Sequence, residues 1–357
     1  MKEIDFSEIE GVLVGNAQND EAKTGVTVFV FPYTAVGAAD ISGGGPASRE
    51  TPVIDPERAD TPVNALVLGG GSAYGLEAAS GVMECLEKRG IGYDTRAALV
   101  PIVVQSDIYD LSFGKANVRP DKKMGGEACL AALSMDKKSG INIGEIQKNT
   151  QNLLISGAKN GSFGGGTGAT VGKICGMERS QKAGIGFYAA QSGNLKVGAA
   201  VVVNALGDIY AFDDECAGGR KIAGLLSEDK KSFCDSVKEL YKIYEKSCGS
   251  AQPEKTGKEN PGAVSLRSNT TIGAVFTNGD FSKSQLKKIA SMARAAYDRC
   301  IRPVGTMGDG DTIYAFSTEK TEGMEKSDLN VAGTLAAEVM EKAIKNAIVP
   351  DKNNQLS

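Results

Sequence analysis

The stretch SLRSNTTIGAV, residues 265–275, joins a polar linker to an apolar run. Residues 249–262 before it are rich in polar residues, Pro and Gly, which is typical of an exposed linker. The β-branched run from Thr270 onwards predicts a buried strand, so Asn269 lies where a loop enters a strand. Cleavage after Asn269 would give Thr270 a free α-amine beside its hydroxyl, and thus a base beside a nucleophile. This stretch alone still favours an ordinary strand threonine.

Composition limits the classes of protein that this chain can represent. It has 357 residues, of which 41% are hydrophobic and 24% charged, as in soluble globular proteins. A net charge of −4 gives no general reason to expect nucleic acid or an anionic membrane as a partner. No segment approaches the ~18 apolar residues of a membrane span. The charged stretch 1–5 lacks the apolar core of a signal peptide, so we expect a cytoplasmic protein.

The chain contains no histidine, and this is its most informative count. A Ser-His-Asp triad, a Cys-His dyad and every histidine-based metal site are therefore excluded. A hydrolase with this composition needs an amine, a lysine or a carboxylate as its base. The seven cysteines form no CxxC pair, so they predict neither a disulfide framework nor a zinc site. We expect no metal and no cofactor.

Predicted strands and helices alternate along the chain, with many Gly-rich turns between them. This order favours an α/β or α+β fold with sizeable sheets. Apolar patterns predict helices at residues 77–89, 127–135, 145–156, 221–246, 282–297 and 327–347. They predict strands near residues 11–15, 25–32, 65–68, 98–104, 184–190, 196–204 and 312–318.

Two Gly-rich segments, at residues 69–76 and 161–173, first suggest nucleotide binding. Neither contains a complete GxGxxG or GxxxxGK[ST] motif, so close strand-to-helix packing is favoured. The first segment brings a strand to a helix N-terminus. Backbone N–H groups at Gly70 and Gly71 could hold an anion or an oxyanion of the substrate there.

Four polar residues lie at positions where they could take part in catalysis or in binding. Lys173 follows the second Gly-rich segment and could enter a cleft, although a solvated lysine is the commoner explanation. Asp309 and Asp311 form a GDGD turn before a strand, where they could share a proton, ligate a metal or simply make a turn. Asn204 closes an apolar strand, as a turn residue or as an oxyanion donor.

These motifs together, in this order, resemble the DmpA-like family of self-processing aminopeptidases and amidases. That family includes L-aminopeptidase/D-esterases, β-aminopeptidases and the nylon-oligomer hydrolase. The resemblance covers nearly the whole chain, and the ordered set is more specific than any single motif. It rests on residues 25–28, 69–77, 108–111, 168–173, 202–204, 269–272 and 309–312.

The resemblance implies that residues 1–357 form a single autoprocessed domain. The chain would cleave itself between Asn269 and Thr270, giving an α chain of residues 1–269 and a β chain of residues 270–357. Thr270 would be the nucleophile of the mature enzyme. The implied fold is a four-layer αββα sandwich of the α+β class, similar in layering to N-terminal-nucleophile hydrolases but differently connected. Members usually assemble as tetramers of αβ units.

The family also implies roles for the remaining candidates. Asn204 would contribute to the oxyanion hole, Lys173, Asp309 and Asp311 would surround the nucleophile, and Tyr109 would line the cleft. The expected activity is removal of N-terminal residues from small peptides or amides through an acyl-enzyme. Two alternatives stay open: an acyltransferase resembling ornithine acetyltransferase, and a non-catalytic binding protein of the same fold.

Overall fold

The computed structural model describes residues 1–213, 216–249, 269–318 and 327–348. Within these ranges the chain forms six α-helices: α1 Ala78–Glu87, α2 Lys122–Leu133, α3 Ile143–Gln147, α4 Ser236–Gly249, α5 Lys283–Cys300 and α6 Leu329–Asn346. The same ranges contain eighteen strands: β1 Lys2–Ile4, β2 Leu13–Asn19, β3 Thr24–Ile41, β4 Ala47–Arg49, β5 Val63–Gly69, β6 Tyr93–Asp94, β7 Leu99–Val100, β8 Val103–Asp107, β9 Leu153–Ser156, β10 Thr170–Val171, β11 Gln181–Lys182, β12 Ile185–Ser192, β13 Leu195–Asn204, β14 Asp208–Asp213, β15 Cys216–Ala223, β16 Thr270–Thr277, β17 Ile301–Arg302 and β18 Thr312–Ser317.

The long strand β3 belongs to both main layers of sheet. Its first half pairs with β2 and β5, and its second half pairs with β18. Between the halves the β5 register shifts from Val30 to Ala35, and Thr34 adopts a φ of 72°. One layer has the strand order β9-β2-β3-β5-β8-β4, and the other has the order β1-β12-β13-β16-β18-β3.

The space between the two sheets is filled by an aromatic core. Phe29 lies 4.9 Å from Phe276 between ring centroids, and Phe31 lies 4.8 Å from Phe316. Each of these rings is fully buried. Because side chains alternate along a strand, the same strands also bury apolar residues on their outer faces. Such burial on both faces requires further layers outside the sheets.

Helices provide these outer layers. Helices α1 and α2 cover the outer face of the β2, β3 and β5 sheet, where they share a buried cluster with Val28 and Val67. Helices α5 and α6 cover the outer face of the other sheet, packing on Val201 and Val275. The order of layers is therefore helix, sheet, sheet, helix. The predicted α+β fold with four αββα layers is confirmed.

Two predicted helices were wrong in part. The helix expected at 145–156 stops after Gln147, whose side chain donates to Asn152 O at 2.7 Å and accepts from the Leu154 N–H at 2.8 Å. The chain then continues as strand β9. In the charged region 221–246, the helix begins only at Ser236, where Asp208 accepts hydrogen bonds from both the N–H and the hydroxyl of that serine.

The structure describes only part of the region around the expected cleavage site. The linker predicted at 249–262 lies outside the described residues, apart from Gly249, where α4 ends. The division into chains 1–269 and 270–357 stays a prediction. Across the described ranges, no helix combines the length and the apolar character needed to cross a membrane.

Candidate active site

The candidate site lies at one edge of the second sheet, where three strands end or begin. β13 is antiparallel to β16, so its last residue, Asn204, pairs with the first residue of β16, Thr270. β18 is parallel to β16, so the turn that precedes it reaches the same edge. Asn269 accordingly forms a parallel bridge with Asp309. Residues distant in sequence thus meet around the Asn269–Thr270 bond.

This bond is buried and its carbonyl oxygen has two hydrogen-bond donors. Asn269 is 2% exposed and Thr270 is 5% exposed. The Thr270 hydroxyl donates to the Asn269 carbonyl oxygen, and the Gly310 N–H donates to the same oxygen at 3.2 Å. The Gly310 N–H therefore faces the atom that would become negative if the hydroxyl attacked this carbonyl. We did not identify Gly310 as a site residue from the sequence. Its position between two aspartates was the feature that could have indicated it.

Gly310 approaches the threonine so closely that a side chain would disturb the site. A Cβ at this position would lie 3.0 Å from Thr270 Oγ1 and 3.0 Å from Gly45 O. The Gly45 N–H in turn donates to Asp309 O at 2.8 Å. The glycine loop at 43–45 therefore supports the GDGD turn from outside.

The Asn204 carboxamide is held by three neighbours. Its Oδ1 accepts from Lys173 Nζ at 2.8 Å and from the Thr170 N–H at 3.1 Å. Its Nδ2 donates to Tyr109 O at 3.0 Å. Because both groups at Oδ1 are donors, the orientation of the amide is fixed by its surroundings. Asn204, Lys173 and Tyr109 are thus brought together, with Tyr109 contributing its backbone carbonyl.

Lys173 enters the site from a turn that requires glycine. Gly172 has a φ of 72°, and a Cβ there would lie 2.1 Å from the carbonyl carbon of Gly224. Lys173 Nζ donates to the Asn204 carbonyl oxygen at 3.0 Å, in addition to its bond to the side chain. Burial lowers the pKa of Lys173 to about 7, although Asp309 and other carboxylates oppose this shift. Near neutral pH this amine can therefore accept a proton.

The two aspartates of the GDGD turn are held by backbone N–H groups. Asp311 accepts from the N–H of Thr271 at 2.5 Å and from that of Gly305 at 2.9 Å. Asp309 accepts from the N–H of Thr306 at 2.7 Å. Burial, reinforced by Asp309, raises the pKa of Asp311 to about 7. Burial also raises the pKa of Asp309, against the hydrogen bonds from Thr306 and the charge of Lys173.

Gly70 and Gly71 have acceptors inside the protein. The Gly70 N–H donates to Gly25 O at 2.9 Å, and the Gly71 N–H donates to Asp110 Oδ1 at 2.8 Å. A substrate oxyanion would have to replace these acceptors, so the anion site at the two glycines stays a prediction. Within the described ranges, no group of three or more Asp, Glu or Cys residues could hold a metal ion.

Solved structures with a similar chain path identify the fold. The L-aminopeptidase D-Ala-esterase/amidase of Ochrobactrum anthropi, described as a variant of the Ntn hydrolase fold, superposes with a TM-score of 0.58. It is 17% identical and the match covers 98% of this chain and 88% of that one. A Burkholderia β-aminopeptidase gives a TM-score of 0.56 at 17% identity, covering 96% and 85% of the two chains. The fold is thus that of Ntn-type aminopeptidases.

Sequence comparison then assigns the family. The profile of peptidase family S58 matches residues 5–354, so this chain belongs to peptidase family S58, the DmpA family. An uncharacterized aminopeptidase of Mycobacterium leprae is 34% identical over 315 residues, covering 86% of this chain and 74% of the relative. A 6-aminohexanoate-oligomer endohydrolase of a Kocuria species is 28% identical over 346 residues, covering 94% and 84%. The protein is a hydrolase of the aminopeptidase or amidohydrolase type.

Proposed function

We propose that this protein cleaves its own Asn269–Thr270 bond and then uses Thr270 as an N-terminal nucleophile. The mature enzyme removes N-terminal residues from small peptides or amides through an acyl-enzyme. One observation carries the proposal: the Asn269 carbonyl oxygen accepts hydrogen bonds from both the Thr270 hydroxyl and the Gly310 N–H. The Gly310 bond also belongs to the parallel Asn269–Asp309 bridge, so the distinguishing features are the buried junction and the hydroxyl on the preceding carbonyl.

Self-cleavage follows as an N-to-O acyl shift. The Thr270 hydroxyl loses its proton to a neighbouring base and its Oγ1 attacks the Asn269 carbonyl carbon. Negative charge develops on the carbonyl oxygen, which the Gly310 N–H stabilises. The C–N bond breaks, the Thr270 nitrogen takes up a proton, and an ester joins Asn269 to Thr270 Oγ1. Water then hydrolyses this ester, freeing the Asn269 carboxylate and the Thr270 hydroxyl.

Lys173 is the base we assign to the first step. Before cleavage the Thr270 nitrogen is an amide and cannot accept a proton, so a separate base is required. Lys173 is buried beside Asn204, and the pKa of its amine is lowered to about 7 by that burial. A base with a pKa near the working pH is the most effective proton acceptor.

After cleavage, the new α-amine of Thr270 becomes the base for turnover. Its unperturbed pKa is ~7.7–8.0, so part of it is neutral near physiological pH. Attack on a substrate carbonyl gives an oxyanion, for which the Asn204 carboxamide is our assigned donor. The leaving amine takes the proton, and water releases the acyl group from Thr270.

The direct test is denaturing gel electrophoresis of purified protein, followed by N-terminal sequencing of the smaller band. We expect two chains, the smaller beginning Thr-Thr-Ile-Gly. A lasting single band of 37.2 kDa under all conditions contradicts the proposal and favours a non-catalytic protein. Product analysis with and without an added amine separates hydrolysis from acyl transfer.

The names of the relatives guide the choice of substrates. A suitable panel of p-nitroanilides carries α-aminoacyl, β-aminoacyl and 6-aminohexanoyl groups, chosen from the names of the aminopeptidase and hydrolase relatives. We expect release of p-nitroaniline from at least one class, and none after substitution of Thr270. The tetramer of αβ units that the family implies is tested by light scattering of the processed protein.

A further inference from the structure

Helices α1 and α2 touch backbone to backbone on the outer face of the sandwich. A Cβ at Gly81 would lie 1.7 Å from Lys122 O, and a Cβ at Gly125 would lie 2.0 Å from Ala78 O. Only glycine permits this approach. Cys85 and Cys129 each lie four residues, one helical turn, beyond one of these glycines. Residues four apart share a helix face, so the close contact places the two cysteines on facing surfaces.

The two cysteines lie together in the apolar cluster at this interface. Cys129 belongs to the buried cluster, and Cys85 packs against it. Cys129 is fully buried, whereas Cys85 is partly exposed. Cys85 lines a groove of about 750 Å³ between the two helices, together with Lys88 and Arg89. A small solute in this groove can therefore reach Cys85, whereas Cys129 is not among the residues that line the groove.

The charges around the pair distinguish the two thiols. The hydrogen bond with Cys129 lowers the pKa of Cys85, and the cations of Arg89 and Lys88 act in the same direction, against burial. Burial raises the pKa of Cys129 well above its ordinary value. Cys85 therefore has the features of an attacking thiol, which are thiolate character and access, and Cys129 those of a protonated partner. By contrast, burial raises the pKa of Cys300 to about 12.

We propose that Cys85 and Cys129 form a redox modification site, in which a hydroperoxide oxidises Cys85 and the pair closes as a disulfide between α1 and α2. The Cys85 thiolate attacks the peroxide oxygen, giving a sulfenic acid and releasing hydroxide, or an alkoxide from an organic peroxide. Cys129 sulfur then attacks the Cys85 sulfur, and its proton leaves with the sulfenic oxygen as water. An external dithiol reverses the bond. This site is separate from Thr270 and does not depend on the proposed function.

Peptide mapping after graded hydrogen peroxide tests the proposal. The protein carries Cys248→Ser in every sample, which removes an exposed thiol that would also react. We expect a peptide linked through Cys85 and Cys129 with a mass about 2 Da below the sum of its parts, and its loss after dithiothreitol. Two fewer thiols should titrate with a chromogenic disulfide reagent under denaturing conditions.

A resolving cysteine also protects its partner from further oxidation. In Cys129→Ala, Cys85 should proceed to the sulfinic acid, so that dithiothreitol no longer restores thiol titration, whereas it does so in the parent protein. Circular dichroism checks that Cys129→Ala remains folded. Equal sulfinic acid formation in the parent and Cys129→Ala overturns the proposal. So does a disulfide that joins other cysteines while Cys85 and Cys129 stay reduced.

Discussion

Asn204 and Thr270 are direct partners at the end of the β13–β16 ladder, the last residue of one strand opposite the first residue of the other. The side chain of Asn204 is tied to Lys173 at 2.8 Å. Register therefore places an amide and a hydroxyl at one edge of the sheet, and the hydrogen bond to Asn204 adds the amine of Lys173. A shift of this pairing by one residue would send these side chains to the opposite face.

The adjacent threonines provide a matched pair of variants. Thr270→Ala should remain an uncleaved chain of 37.2 kDa and lose activity by about 10³-fold or more, because the hydroxyl is the nucleophile in both steps. Thr271→Val should still be cleaved, since Thr271 Oγ1 is buried with no partner among the described residues. Gel electrophoresis and a p-nitroanilide assay measure both. Substantial hydrolysis by Thr270→Ala would move the nucleophile elsewhere.

The pH dependence of self-cleavage tests Lys173. Below its pKa of about 7 the amine is protonated and cannot accept the Thr270 proton. The cleavage rate should rise by about tenfold per pH unit up to about pH 7 and then level off. Unprocessed protein held at pH 5 and shifted to each test pH provides the measurement.

Variants of Lys173 separate the role of a base from that of a charge. Lys173→Met should slow cleavage by about 10²-fold, and Lys173→Arg should not restore it, because arginine stays protonated. Normal cleavage by Lys173→Arg would show that only the positive charge matters. In that case the proton acceptor would have to be another group of the site.

A change at Asn204 should move the same pH profile. Asn204→Asp puts a carboxylate where the carboxamide oxygen now accepts from Lys173 at 2.8 Å. An adjacent negative charge favours the protonated amine and raises the pKa of Lys173. The midpoint of the cleavage profile should therefore move above pH 7. Asn204→Ala, which adds no charge, is the control, and an unmoved midpoint in Asn204→Asp contradicts Lys173 as the base.

Sequence patterns predicted many of the strands and most of the residues at this edge, whereas the four-layer sandwich was implied by the family resemblance. The apolar strands 196–204 and 312–318 lie close to their predicted bounds, so Asn204 ends one strand and Asp311 directly precedes the other, as expected. The pairing partners were not visible in local patterns, because register depends on contacts between distant strands. For this reason the Gly310 N–H at the Asn269 carbonyl and the Tyr109 carbonyl at Asn204 emerged only from the three-dimensional arrangement.

Asp311 should make the folded protein less stable as pH rises. Its pKa is about 7 in the folded protein, whereas the ordinary pKa of an aspartate side chain is 3.8, so between these values the folded chain binds the extra proton. Stability from this group is complete below about pH 4 and is lost as pH rises through about 7. Asp311→Asn should flatten this slope. It should also cost about 1–3 kcal/mol at low pH, since one of the two N–H donors loses its acceptor.

Urea unfolding of Thr270→Ala, with and without Asp311→Asn, measures this effect on an intact chain. The Thr270→Ala background keeps cleavage from complicating the comparison. Asp280→Asn, at an exposed position, is the matched control and should leave the slope unchanged. An equal slope with and without Asp311→Asn between pH 4 and pH 7 would assign the pH dependence to other groups.

Gly310→Ala tests whether the turn backbone takes part in cleavage. The added Cβ would lie 3.0 Å from both Thr270 Oγ1 and Gly45 O, so we expect the turn and the Thr270 hydroxyl to move apart by a few tenths of an ångström. Loss of a backbone donor to a developing oxyanion typically costs about 10²-fold to 10³-fold in rate, and partial displacement should cost at least about tenfold. Gly218→Ala is the control, because a Cβ there has no neighbour within 4 Å. The rate is followed by gel after the pH shift, and wild-type cleavage by Gly310→Ala would contradict the expected loss of rate.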